Sequence, residues 1–549
     1  MKKSTILLIL IIVLGTLLRI VAVDKYPAGL NADEAAIGYN AWSLILTGQD
    51  EHKATWPIVF RSFDDYKLPV YFYLVLPFVK VLGLNVWAVR LPSAILGSLS
   101  IWLLYLLVKE LFRERENDRL ALLAAFLLAI SPWHLQFSRG GWEVNVATFF
   151  FLLSSLSFIR SFKNVKYLFL FALSTVLALY TYPSARVVLP LLMIGTAIIF
   201  WNDFIKLFNK QNLKTTLIAL LLAIVLILPV AQQLLSKEGQ ARFSGVSVFS
   251  DSGPYWRALA LRNEQPKVNL YVKLINNQYL SYGLQIVQNY LSHYSLRFLF
   301  IVGDEIARSK VPGMGQSLIS LLPFYFLGIL VLLKLDTKGK RFVLAWFLFA
   351  PIAAAITFQS PHALRAENMV IPLIIIIAFG VDLAYEFLSK INFKPLIYTA
   401  IIIFAALITF DFSYYMHQYY VHYPKELPYA WQYGFDQIAA YTQANYDKYD
   451  HIVISDRYDQ PYILIAFFTK YPPKTLQNEE VMTPRDKFGF STVRNLGKYE
   501  FRTINWGEDK KLKNTLIISA DEPVEDSYII HTVLDPAGKV MYKFLDTNK

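Results

Sequence analysis

The sequence predicts a polytopic α-helical membrane protein carrying a small α/β domain at its C-terminal end, and three observations point there. The 549 residues are 55% hydrophobic and only 17% charged, where a soluble domain carries about a quarter charged residues. Charge-free apolar runs recur at 6–18, 120–130, 217–230 and 371–379, as expected of segments that satisfy their backbone inside a bilayer. The stretch 413–549 changes character: strand-like runs at 451–455, 515–520, 528–533 and 540–544 alternate with helix-like runs at 431–446 and 460–469.

Taken in order, the chain opens with Met1-Lys2-Lys3 and an apolar run. Arg19 interrupts the end of that run and no convincing small-residue cleavage site follows, so it reads as a retained signal-anchor helix. About eleven spans are expected, near 4–22, 86–108, 119–137, 143–160, 165–181, 186–201, 214–235, 318–334, 340–358, 368–388 and 395–412. The apolar segment 68–82 is short and holds Pro69 and Pro77. If it lies at the interface, the basic stretches at Lys2/Lys3, 109–119, 160–166, 206–214, 334–341 and 390–394 all fall on one side, which is the cytoplasmic side by the positive-inside rule. The expectation is thus a multi-pass cell-membrane protein with a cytoplasmic N-terminus. Its transmembrane domain covers 1–412, with outer loops 23–85 and 236–317, and an extracytoplasmic domain covers 413–549.

Composition also excludes functions. The net charge of +12 comes from Lys and Arg in short loops between spans, which argues against nucleic acid. With no Cys there is no disulfide, thiol nucleophile or thiolate metal site. The tail holds no Gly-rich phosphate loop, and no His/Asp/Glu cluster has convincing metal spacing.

The charges at the outer ends of the spans are the candidates for chemistry: Asp33, Glu34, Asp64, Asp65 and Lys67 in the first loop, Arg139 and Glu143 in the second, then Arg186, and His362, Arg365 and Glu367 in a later loop. Charge at membrane depth is costly and is usually functional. Acids and bases together at one interface suit a substrate with an anionic head and a lipid tail. Lys67 and Arg365 suit a phosphate, as point charge and bidentate fork, and a carboxylate such as Asp33 suits proton removal from an acceptor. Each has a plainer explanation: a snorkelling Lys67, a first-turn acid at Glu143, an ion pair within Arg365-Ala366-Glu367. Their shared face favours function.

Asn-Ala-Asp-Glu at 31–34, Tyr-Lys-Leu-Pro at 66–69, Arg-Leu-Pro-Ser-Ala at 90–94 and His-Ala-Leu-Arg at 362–365 together resemble motifs of the dolichyl-phosphate-mannose–protein mannosyltransferases and their bacterial relatives, including aminoarabinose transferases, of the glycosyltransferase-C superfamily. Asn31-Ala32-Asp33-Glu34-Ala35-Ala36-Ile37-Gly38-Tyr39-Asn40-Ala41 resembles the Asp-Glu loop after their first span. Tyr66-Lys67-Leu68-Pro69 through Tyr73 is similar to their Lys-Pro-Pro-Leu-x-Tyr-Trp element, and Arg90-Leu91-Pro92-Ser93-Ala94 recurs at a span start. Ser131-Pro132-x-His134 through Ser138-Arg139 and Glu143 resembles their second acidic motif, with Glu where Asp is usual. His362-Ala363-Leu364-Arg365 resembles a later His-x-x-Arg element.

The resemblance implies an inverting transfer of a sugar from a polyprenyl-phosphate donor to a protein, lipid or glycan acceptor outside the cytoplasm. It makes Asp33 the general base with Glu34 in support, Glu143 a second acid, and Lys67, Arg365 and Arg139 the holders of the donor phosphate, with His362 and Tyr66 as further substrate contacts. It leaves divalent-metal dependence open. Two competing readings are a polymerase or ligase of lipid-linked glycans and a transporter or flippase; span centres nearly free of charge count against the latter.

Overall fold

The computed structural model describes the chain except residues 1–2, 115–117, 237–244 and 487–488. Lys2, part of the basic stretch 109–119 and the beginning of the 236–317 loop therefore lie outside the described residues. The chain divides into two compact units: Met1–Arg19, Ile95–Ser138 and Glu143–Met416 form the first, and Ile20–Ala94, Arg139–Trp142 and His417–Lys549 form the second.

The first unit is helical. Among the described residues of the whole chain, six helices are long and apolar enough to cross a membrane: Lys3–Ile20, Val86–Leu111, Glu143–Ser161, Leu213–Gln233, Glu367–Ser389 and Lys394–Glu426. Two further candidates are bent pairs, Arg119–Ala129 with Pro132–Ser138 at 56° and Ala185–Ile199 with Trp201–Phe208 at 91°. The first bend falls where the sequence suggests a single span at 119–137. Pro132 cannot donate a backbone hydrogen bond there. Arg19, wholly buried, takes up freed carbonyls by donating to Leu128 O and Ala129 O, both at 3.1 Å, and to His134 Nδ1 at 2.8 Å. The residue that interrupts the N-terminal apolar run is thus a brace for a broken helix.

Small residues set the closest packing. A Cβ at Gly328 would lie 1.8 Å from Ile376 O, and one at Gly380 1.9 Å from Phe324 O. Helices Leu322–Lys334 and Val370–Ser389 therefore meet backbone to backbone, the usual solution where lipid gives helices no hydrophobic reason to associate.

The second unit joins Ile20–Ala94 to the tail. Helix Ala32–Thr47 begins at a capping box, Asn31 Oδ1 accepting from Glu34 N while the Glu34 side chain accepts from Asn31 N. It ends at Gly48, φ 73°, a left-handed conformation that glycine adopts without penalty. A hairpin follows, β1 (Phe60–Ser62) antiparallel to β2 (Asp65–Lys67), and then the 13-residue helix Val70–Leu82.

The tail is a six-stranded mixed sheet of β3 (His451–Ile454), β4 (Asn495–Leu496), β5 (Tyr499–Phe501), β6 (Thr515–Ser519), β7 (Ile529–Leu534) and β8 (Val540–Asp546), ordered β4-β5-β3-β6-β8-β7. The four longer strands and the helices Phe435–Ala444 and Pro461–Thr469 fall where the apolar pattern puts them. The pattern misses β4 and β5, which are two and three residues long and include Asn495 and Glu500. Ala35, Ala36 and Tyr39 of helix Ala32–Thr47 share one buried core with Tyr462, Ile463 and Phe467 of the tail.

Candidate functional site

Helix Ala32–Thr47 presents its two first-turn carboxylates to different surroundings, because neighbours on a helix point about 100° apart. Glu34, only 1% exposed at its side chain, is fully engaged. Its Oε1 accepts from Arg90 Nε at 2.8 Å and from Gly141 N at 2.7 Å; its Oε2 accepts from Arg90 Nη2 at 2.9 Å and from Asn31 Nδ2 at 3.2 Å. Arg90 spends its other donors on carbonyls of the preceding loop, Val23 and Pro27 at 2.9 Å and Gly29 at 2.6 Å. One ion pair thus fixes the helix start, the 23–29 loop and the 139–142 turn. A buried pair of this kind costs about 3–5 kcal/mol when one partner is removed.

Asp33 is the opposite case. Its side chain is 37% exposed, and Oδ1 is in a hydrogen-bonded ion pair with Nζ of Lys67, itself 6% exposed. Lys67 ends β2, so the hairpin carries the ammonium to the helix start, and its Nζ also sits 5.3 Å from the centre of the Phe63 ring. Tyr66 precedes it, half-buried, paired in register with Arg61.

Arg139 is 2% exposed. Its Nη2 donates to Val21 O at 2.9 Å, Tyr26 O at 3.2 Å and Ala22 O at 3.3 Å, its Nε to Tyr419 Oη at 3.2 Å, and its guanidinium lies 5.3 Å from the rings of Tyr419 and Tyr420. This is the geometry of a brace for the 21–26 turn.

The remaining candidates belong to the first unit. Glu143 is the first residue of helix Glu143–Ser161 and is half-buried. Arg365 Nη1 donates to Thr357 Oγ1 at 2.7 Å. His362 is 6% exposed. Its backbone N donates to His293 Nε2 at 3.1 Å, so the other ring nitrogen of His293 is the one that donates, to Asn289 O at 2.8 Å. Burial, then the charge of Arg365, holds the His362 ring well below the usual imidazole range; burial likewise brings His293 down to about 4. Both rings are neutral at pH 7. Asp304 accepts from Ala363 N at 2.6 Å and lies 3.7 Å from His362 Nδ1; burial raises its carboxyl. Among the described residues no group of three or more His, Cys, Asp or Glu is arranged to hold a metal ion.

Sequence reasoning quotes Arg90 only inside a recurring motif and does not single out Asp304 or His293. Arg90 carried a usable signal: it is the one charge in helix Val86–Leu111 before Lys109 and Glu110 at its end. His293 and Asp304 carried none, since their partners are 69 and 59 residues away.

Residues 67–232 match the family model described as dolichyl-phosphate-mannose-protein mannosyltransferase. A Bacillus subtilis (strain 168) protein, YycA, which carries a provisional mannosyltransferase name, is 29% identical over 164 residues, 29% of this chain and 22% of its own length. The chain therefore aligns with about a fifth of that relative. ArnT from Cupriavidus metallidurans, solved in the apo state and bound to undecaprenyl phosphate, superposes with a TM-score of 0.52 at 11% identity, over 100% of this chain and 98% of ArnT. The oligosaccharyltransferase AglB from Archaeoglobus fulgidus, solved with an inhibitory peptide and a dolichol-phosphate, gives 0.51 at 14% identity, over 85% of this chain and 64% of AglB. A membrane protein with the fold of ArnT and AglB, the chain matches the mannosyltransferase family model over residues 67–232.

Proposed function

We propose that the protein transfers a sugar, with inversion, from a polyprenyl-phosphate-linked donor to an acceptor on the extracytoplasmic side of the membrane. The observation that carries this reading is the contrast at positions 33 and 34: a pinned Glu34 holds the helix start while Asp33 stays partly open to solvent beside a buried ammonium. In the proposed step Asp33 accepts the proton of the acceptor's nucleophile. That nucleophile forms a bond to the anomeric carbon, and the bond from this carbon to the lipid phosphate breaks, its electron pair leaving on the phosphate. Lys67 supplies positive charge next to Asp33, where the departing phosphate needs it.

Support for the donor class comes from the family match and from relatives solved with undecaprenyl phosphate or dolichol-phosphate. Glu143 as a second acid, Arg365 as a donor-phosphate residue, and Tyr66 and His362 as substrate contacts belong to the same proposal, with Arg139 acting on the phosphate only through the 21–26 turn that it braces. So do the cytoplasmic N-terminus and the extracytoplasmic 413–549 domain.

The test is an assay of purified protein in nanodiscs with a panel of undecaprenyl-phosphate monosaccharides. Release of undecaprenyl phosphate with an inverted anomeric product from at least one donor is the expected result, lost in Asp33→Asn. Translocation of these lipids with no bond cleavage would replace the reading with a flippase.

A further inference from the structure

The first unit carries a cavity of about 370 Å³ that the transfer reading does not use. It opens where helix Val86–Leu111 ends and helix Arg119–Ala129 begins, and Arg160, in the last turn of helix Glu143–Ser161, completes it. Its charges do not balance. The Glu110 carboxylate, 6% exposed, receives Arg113 Nη2 at 2.6 Å and Lys163 Nζ at 2.8 Å, with Arg160 Nε at 3.7 Å. Lys109 Nζ sits 2.7 Å from Asp118 Oδ1. Among the described residues that line the cavity, Lys109, Arg113 and Arg160 thus face Glu110 and Asp118, and Lys163 reaches Glu110 from outside the wall. The rest of the wall is apolar: Leu106, Phe112, Leu120 and Ala121.

We infer that this cavity binds the phosphate of an anionic phospholipid headgroup, with the start of its acyl chains against the apolar wall. Two guanidinium groups converging on one carboxylate have spare N–H donors, and a phosphate offers the oxygens to take them bidentately. An added anion also offsets the surplus cation of this lining, which Glu110, already shared by Arg113, Lys163 and Arg160, does not. Basic pockets between membrane helices are a known setting for acidic headgroups. A free phosphate would use the same cations and gain nothing from Leu106, Phe112 and Leu120, so the apolar wall favours the lipid.

The experiment measures which lipids stay with the full-length protein, by native mass spectrometry after extraction from vesicles of equal phosphatidylglycerol and phosphatidylcholine. Phosphatidylglycerol is expected to be enriched. Arg113→Gln with Arg160→Gln should weaken its retention about thirtyfold, from two lost charges near the headgroup. Glu110→Gln, which removes a competing carboxylate, should keep or raise it. If the double variant unfolds, Lys109→Gln in its place should lower retention by a smaller factor. Millimolar inorganic phosphate should leave the lipid bound. Enrichment that survives loss of the cations, enrichment lost in Glu110→Gln, or full displacement by inorganic phosphate would each overturn the assignment.

Discussion

The two ends of helix Ala32–Thr47 handle charge in opposite ways. At its start, each carboxylate has its own cation: Glu34 has Arg90 and Asp33 has Lys67. Just past its end, three buried carboxylates share one imidazole. His52 Nδ1 is 2.5 Å from Glu480 Oε1 in the tail, and its other nitrogen is 4.0 Å from Glu51 Oε1. Asp50 lies beside them with its Oδ1 accepting from His52 N at 2.9 Å, and Asn40 and Tyr462 hydrogen-bond the Glu51 carboxylate at 2.7 and 3.2 Å. A guanidinium and an ammonium hold the start of the helix. The far end depends on a proton, because only protonated His52 offsets those acids.

Three predictions sharpen the contrast. The largest effect is expected at Asp33: Asp33→Asn should lower turnover by about 10²–10⁴-fold, the usual worth of a positioned base, with Tm nearly unchanged. The second is structural. Arg90→Met leaves Glu34 buried without its cation and should cost about 3–5 kcal/mol in unfolding experiments; Arg90→Lys should recover only part, because an ammonium cannot span the five acceptor contacts the guanidinium makes.

The third prediction concerns pH. Burial opposes the charge on His52, but its hydrogen bond to Glu480 and the charge of Glu51 outweigh this and push the ring up to about 9. A folded value above the unfolded one means stability that is fully present below the imidazole's ordinary 6.5 and lost as pH rises through 9. Burial raises Glu51 to about 7, so its contribution is lost earlier, as pH climbs from its ordinary 4.5 through 7. Between pH 7 and pH 9 the loss from His52 should be about 2 kcal/mol, read as a falling Tm. His52→Gln should lower Tm at pH 7 and flatten that slope.

How much of this was legible before the structure follows from the range of each interaction. Asp33 and Glu34 stand out because a local motif and a helix start coincide. That they divide into an open and a pinned carboxylate was not legible, since Lys67 and Arg90 lie 34 and 56 residues away. The charge-sharing group at the far end was invisible, because Glu480 comes from the tail and His52 alone looks like any loop histidine. Apolar alternation found the longer tail strands, whereas β4 and β5 are too short to show a period. Composition places a boundary at 412. The grouping of Ile20–Ala94 and Arg139–Trp142 with His417–Lys549 in one compact unit is of a different kind, because pairing over such distances leaves no local trace.

Packing gives the smallest effect. A Cβ at Gly38 would lie 2.6 Å from both Phe467 Cε2 and Val89 Cγ2, so Gly38→Ala should cost about 1–3 kcal/mol through overpacking, seen as a lower Tm with turnover of the folded protein retained.

The most direct test compares Asp33→Asn with Glu34→Gln for single-turnover release of undecaprenyl phosphate and for Tm on the same preparations. A base at 33 and a pin at 34 predict a slow, stable Asp33→Asn protein and a Glu34→Gln protein whose main loss is in Tm. A fully active Asp33→Asn, or a Glu34→Gln that is inactive at unchanged Tm, would contradict the division of labour proposed for the two carboxylates.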